Sequence, residues 1–182
     1  MKGLWKYISP FAPDQSGAAA VMYGLNGIVV ICDAGGCAGN ICGFDEPRWF
    51  SGGKSAVFSA GLRDMDAILG RDDRLVAKLA DAARQIDASF AAIVGTPVPS
   101  VIGTDYRALK RMAEKELSIP VVTLDTTGME LYDAGIEKAY DDGSVKFVAG
   151  NDFSQHIQCC LISAVRLVIR VNDLRVFSFE SP

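Results

Sequence analysis

The chain has 182 residues, 49% hydrophobic and 22% charged, the size and composition of one globular domain, or of one domain with an added segment, rather than of a disordered chain. A net charge of −4 argues against nucleic acid or an anionic membrane as the partner. The longest apolar run, residues 159–171, is broken by Arg166 and Arg170 and falls short of the roughly 20 residues of a spanning helix. Residues 1–6 lack the apolar core of a secretory signal. A cytoplasmic protein is expected, its five cysteines reduced and therefore free, metal-bound or catalytic.

In chain order, Ser16 is placed to cap a helix through residues 18–23, stopped by Gly24. Residues 27–32 form a continuous apolar run, the pattern of a strand covered on both faces, and end in a glycine-rich turn over residues 33–40. Short strands are expected at 55–59 and 66–69. Asp72 opens a helix whose apolar positions Leu75, Val76, Leu79, Ala82, Ala83 and Ile86 recur at helical spacing. A buried-type strand at 90–94 is stopped by a loop containing Pro97 and Pro99. Thr104 is expected to cap the next helix, and residues 120–124 form the following strand. Strands alternating with helices predict βαβ units and an α/β fold, a Rossmann-like parallel sheet flanked by helices. That rhythm covers residues 1–140. Residues 141–182 lose it and form a C-terminal segment of undefined fold.

Ligands of a parallel α/β sheet gather at the carboxyl ends of its strands, here the loops 32–40, 95–103 and 125–128. The first is the most unusual. Cys32, Cys37 and Cys42 recur at five-residue intervals among Gly35, Gly36 and Gly39. Glycines allow close backbone approach, and thiolates favour zinc or iron–sulfur centres. Cys32 closes a buried strand and reads as a core thiol. Cys37, in the turn, is the better ligand candidate, and Cys42 lies between. The spacing matches no four-ligand zinc motif. It also departs from G-x-G-x-x-G, and no clear helix opens at Ala38, so a dinucleotide fingerprint is disfavoured. Asp45, Glu46, Arg48 and Trp49 read as a solvated loop pinned by the indole, or as an interface loop. The single histidine, His156, lies in the tail and argues against a Ser–His–Asp or Cys–His unit. The adjacent Cys159 and Cys160 read as apolar packing.

Four stretches, in order, resemble nitrogenase component 1-type oxidoreductases. Residues 27–40 resemble the family's strand and Gly-Cys turn, and residues 66–75 its strand-to-helix stretch. Residues 92–105, with Thr96, Pro97, Ile102, Gly103 and Asp105, resemble its T-C-P-x-x-x-I-G-D-D loop. Residues 119–128 resemble the strand that follows. The resemblance covers roughly residues 7–140. It implies a Rossmann-like domain with an iron–sulfur cluster at the interface of two homologous subunits. The partner is then a component 1-type subunit or a second copy, and electrons arrive from an ATP-dependent iron–sulfur reductase. Carried over by position, Cys37 is the retained cluster ligand. Gly36 and Thr96 flank the cofactor, with Thr96 standing where nitrogenases place a second cluster cysteine. No cysteine occurs between Pro10 and Asp14, where another ligand is expected; Asp14 and Cys42 are the substitutes within reach in sequence. The further α/β domains of the family have no counterpart beyond Tyr140. The reading is therefore an N-terminal cluster-binding and subunit-pairing part, incomplete as an enzyme. Its alternative is a non-enzymatic interaction or scaffold domain that has lost the cluster.

Overall fold

Ile28–Ile31 (β1) is buried along its whole length, as an apolar run without alternation requires when helices cover both faces of a sheet. The structure is a computed structural model, and it describes residues 12–23, 25, 27–45 and 55–141. Around β1 lie three further strands, Ala56–Ser59 (β2), Ala91–Val94 (β3) and Val121–Leu124 (β4), in the order β2-β1-β3-β4 and all parallel. The register sets Ile31 beside Ser59 and Val94, and Val94 beside Leu124. The four carboxyl ends therefore finish at one level.

Side chains of β1 alternate between two cores. Ile28, Val30 and Cys32 face a layer made by Asp72–Gln85 (α4) and Tyr106–Glu116 (α6), which contribute Leu75, Leu79 and Leu109. Val29 and Ile31 face the opposite layer, with Met22 from Asp14–Tyr23 (α1), Ala38 from Gly36–Asn40 (α2) and Ala139 from Tyr132–Asp141 (α7). The chain leaves β1 over the α2 face to reach β2, then crosses back over the α4 face to β3. Right-handed crossovers on opposite faces run in opposite directions along the sheet. The strand order thus reverses between β1 and β3, and that reversal is the switch point at which such sheets form a ligand crevice.

The expected strands at 27–32, 55–59, 90–94 and 120–124 are present. Residues 66–69 are not a strand: Asp64–Leu69 is a helix (α3) with no buried residue. The Asp66 carboxyl accepts the Arg63 N–H at 3.1 Å, the reciprocal half of a capping box, and Gly70 closes the helix in the left-handed conformation. Its apolar residues Met65, Ile68 and Leu69 are exposed, so their clustering in sequence did not signal burial. A short helix does open at the glycine turn (α2), continued by a π-helical turn Ile41–Asp45. The expected loop after β3 contains the helix Pro97–Ile102 (α5), since proline fits the first helical turn, where its missing N–H costs nothing. Asp105, not Thr104, caps α6, accepting the N–H groups of Arg107 and Ala108 at 2.9 and 3.0 Å. Glu46, Arg48, Trp49, His156, Cys159, Cys160 and the segment 142–182 lie outside the described residues.

Candidate functional site: the turn after β1

The crevice is bounded by the turn after β1 and the loop after β3. Gly35 adopts φ 121°, open only to glycine without strain, and this reversal starts α2 at once. Among the described residues, a Cβ placed on Gly35, Gly36 or Gly39 would meet nothing within 4 Å beyond the turn's own neighbouring backbone. The glycine side of the turn is therefore open, while Ala38 packs on the core. Cys37, the second residue of α2, is half-buried and touches the core with one side only.

Beneath the turn sits Asp33, fully buried. One carboxyl oxygen accepts the Ala38 N–H at 2.7 Å, and the other accepts the Ser59 hydroxyl at 2.5 Å. Its main-chain carbonyl accepts the Leu62 N–H at 2.8 Å. A cleft of about 390 Å³ lies alongside, lined by Ala34, Leu62, Arg63, Asp64 and Met65.

Thr96 stands across the switch point, fully buried, and donates its hydroxyl to the Cys32 carbonyl at 2.6 Å. Cys32 in turn donates its N–H to Val94 at 2.9 Å, so β1 and β3 are stitched together at the crevice floor. Thr126, after β4, repeats the arrangement by donating to the Gly95 carbonyl at 2.7 Å. The Tyr106 hydroxyl is buried beside Gly95, and burial, followed by the nearby Cys32 and Asp125, pushes its pKa up.

Asp14, at the start of α1, is fully buried at the third loop. It accepts the N–H groups of Gly128 at 2.7 Å, of Thr127 at 3.0 Å and of Gln15 at 3.0 Å. Lys138 lies 3.7 Å away and pairs with Glu130 at 2.8 Å. Both Asp14 oxygens are thus engaged within the fold. Sequence reasoning named Asp14 as a possible substitute ligand and did not foresee its bonds to Thr127 and Gly128, more than a hundred positions away.

Gly36 and Cys37 lie in α2, Cys42 in the π-helical turn that follows, and Thr96 at the end of β1 through its bond to the Cys32 carbonyl. Their accessibilities differ. Cys42 is buried, and desolvation together with the Asp33 charge pushes its thiol pKa up. Cys32 is buried more deeply, and desolvation, then Asp72 and Asp33, raises it to about 12. Burial thus sets Cys32 and Cys42 apart from Cys37, the more accessible of these three thiols. Among the described residues, no group of three His, Cys, Asp or Glu side chains is arranged to hold a metal ion. No described helix is long and apolar enough to cross a membrane.

Fold and site together define a doubly wound α/β domain whose crevice is floored by hydrogen-bonded threonines and edged by one accessible cysteine. No protein-family model and no curated protein matches the sequence. Among solved structures, the chain is similar to two described as nitrogenase Cp1, one at pH 5 and one at pH 6.5. Each is 20% identical over 72% of this chain, with a TM-score of 0.61. The chain spans 29% and 28% of their respective lengths. The domain therefore has a nitrogenase-like fold.

Proposed function

We propose that this chain is the cluster-facing, subunit-pairing part of a nitrogenase-like oxidoreductase component. The observation that carries this reading is the open Gly35-Gly36-Cys37 turn at the switch point. It offers a half-exposed thiol where the fold gathers ligands, and the sequence resemblance makes that thiol an iron–sulfur ligand.

Tested against a closed cluster, the described residues of one chain do not suffice. The Thr96 hydroxyl is committed to the Cys32 carbonyl, the Asp14 carboxylate to the β4 loop, and Cys42 is a buried thiol. They fit a one-ligand share: Cys37 from this chain, flanked by Gly36, and the remaining ligands from a homologous subunit or a second copy across a symmetric interface. An ATP-dependent iron–sulfur reductase would supply electrons to the assembly in the cytoplasm. Within this reading residues 1–140 form the pairing domain, and 141–182 a separate segment.

A second reading is a scaffold domain that keeps the fold and has lost the cluster. The internal wiring of Thr96 and Asp14 favours it, since both stand where the resemblance expects ligands. Anaerobic reconstitution with ferrous iron and sulfide separates the two. The cluster reading expects a broad visible absorbance and bound iron in the wild type, both abolished by Cys37→Ser. A colourless, iron-free wild type after reconstitution selects the scaffold.

A further inference from the structure

The turn that carries Cys37 is open on its glycine side and packs on the core through Ala38. Among the described residues, no atom beyond the turn's own neighbouring backbone lies within 4 Å of the Cβ positions of Gly35, Gly36 or Gly39. Its internal bond, Gly39 N–H to the Gly35 carbonyl at 3.2 Å, closes the turn on itself but does not fix it to the sheet. Among the described residues, van der Waals contact, which ordinarily sets a side chain's orientation, is supplied along the inner side of Cys37 and Ala38. Among the described residues, the side-chain hydrogen bond that ties this turn to the sheet comes from Asp33.

The carboxyl group of Asp33 does this with both oxygens. Oδ2 accepts the Ala38 N–H, from the residue next to Cys37, and Oδ1 accepts the hydroxyl of Ser59, the last residue of the neighbouring strand β2. Ser59 is itself fixed, because its hydroxyl oxygen accepts the Gly61 N–H at 3.1 Å. The Asp33 carbonyl holds Leu62 at 2.8 Å. One buried side chain therefore locks the β1 turn to the β2 loop. The position of Cys37 is referred through it to the rigid sheet.

We propose that Asp33 is the positioning residue of this site: it holds the Cys37 thiol in a single orientation at the crevice by clamping Ala38 to Ser59. This rests on the reading of Cys37 as the group that this chain presents. It assigns to Asp33 a task apart from ligation, since both its oxygens already accept hydrogen bonds from the fold. Support of this kind is what a functional side chain on a loop requires to keep its geometry.

The test uses the full chain, free of iron, and follows iodoacetamide labelling residue by residue by mass spectrometry, with amide exchange at Ala38 alongside. Buried Cys32 reports whether the fold is intact. Asp33→Ala is expected to raise the Cys37 labelling rate and the Ala38 exchange rate by roughly fivefold, the factor that one ordinary hydrogen bond allows, with Cys32 still protected. Asp33→Asn, which keeps an acceptor for Ala38 and offers a donor to Ser59, is expected to restore both rates nearly to wild type. If Asp33→Ala exposes Cys32, the milder Ser59→Ala decides, with a smaller rise at Cys37 and Ala38 expected. Unchanged rates at Cys37 and Ala38, in whichever of these variants keeps Cys32 protected, would overturn the proposal. So would a failure of Asp33→Asn to rescue. Because the readout needs no iron, an iron-free wild type on reconstitution would defeat the cluster reading and leave this result standing.

Discussion

Thr96 shows how a residue in a ligand's position can be a structural one. Its hydroxyl donates to a buried carbonyl one strand away, and removing a donor from a buried acceptor costs about 1–3 kcal/mol. Thr96→Val keeps the shape and deletes the donor. It should lower stability to chemical denaturation by about that amount while leaving iron uptake on reconstitution unaltered. Loss of iron from a variant that is otherwise as stable as the wild type would make Thr96 a ligand-side residue instead. The cysteine turn was legible in the sequence because glycines and a thiol after an apolar strand are a local signal. The engagement of Asp14 was not: its partner Thr127 is 113 residues away, and only the parallel order of the strands brings the two loops together.

The helices divide by how their sequences advertise them. An apolar stripe marks α4 and α6, and Leu75, Leu79 and Leu109 are buried where the spacing places them. No such stripe marks α1, whose contact with α7 is made by backbone approach. A Cβ on Gly135 would collide with the Asp14 carbonyl, and one on Gly17 with the Tyr132 carbonyl. These glycines let the two helices touch, and small residues carry no hydrophobic pattern to read. Gly135→Ala should force the pair apart at a cost of about 1–3 kcal/mol. It should also loosen the Asp14 clamp on Thr127 and Gly128, visible as faster amide exchange there; unchanged stability and exchange would contradict this packing.

The start of α6 makes a pH prediction at the same scale. Hydrogen bonds from the N–H groups of Ala108 and then Arg107, opposed in part by desolvation, hold the Asp105 carboxyl below the usual aspartate range. A group lowered in the folded state stabilises above its unfolded pKa, and the contribution is lost as pH falls through the folded one. Asp105 should therefore contribute to the loss of stability in acid, below about pH 4. Asp105→Asn keeps a capping side chain without the titration, so its melting temperature should fall less steeply between about pH 5 and pH 2. Parallel pH profiles for the two proteins would show that the cap contributes no titration.

For the whole molecule, the α/β class and the parallel sheet were readable because β1 and β3 are buried on both faces and announce themselves as unbroken apolar runs, with β4 interrupted only by Thr123. The strand order was not readable, and with it the position of the crevice between β1 and β3. It depends on which face each crossover takes, a property of packing rather than of local pattern. On the proposed reading, this domain contributes one ligand to a group shared between chains. Iron content measured across the same size-exclusion peak in which light scattering gives the mass tests it most directly, on protein reconstituted anaerobically. Iron is expected to travel with a species of at least two chains, and Cys37→Ser to remove it. A full complement of iron on a strictly single-chain species, or none on any species, would contradict it.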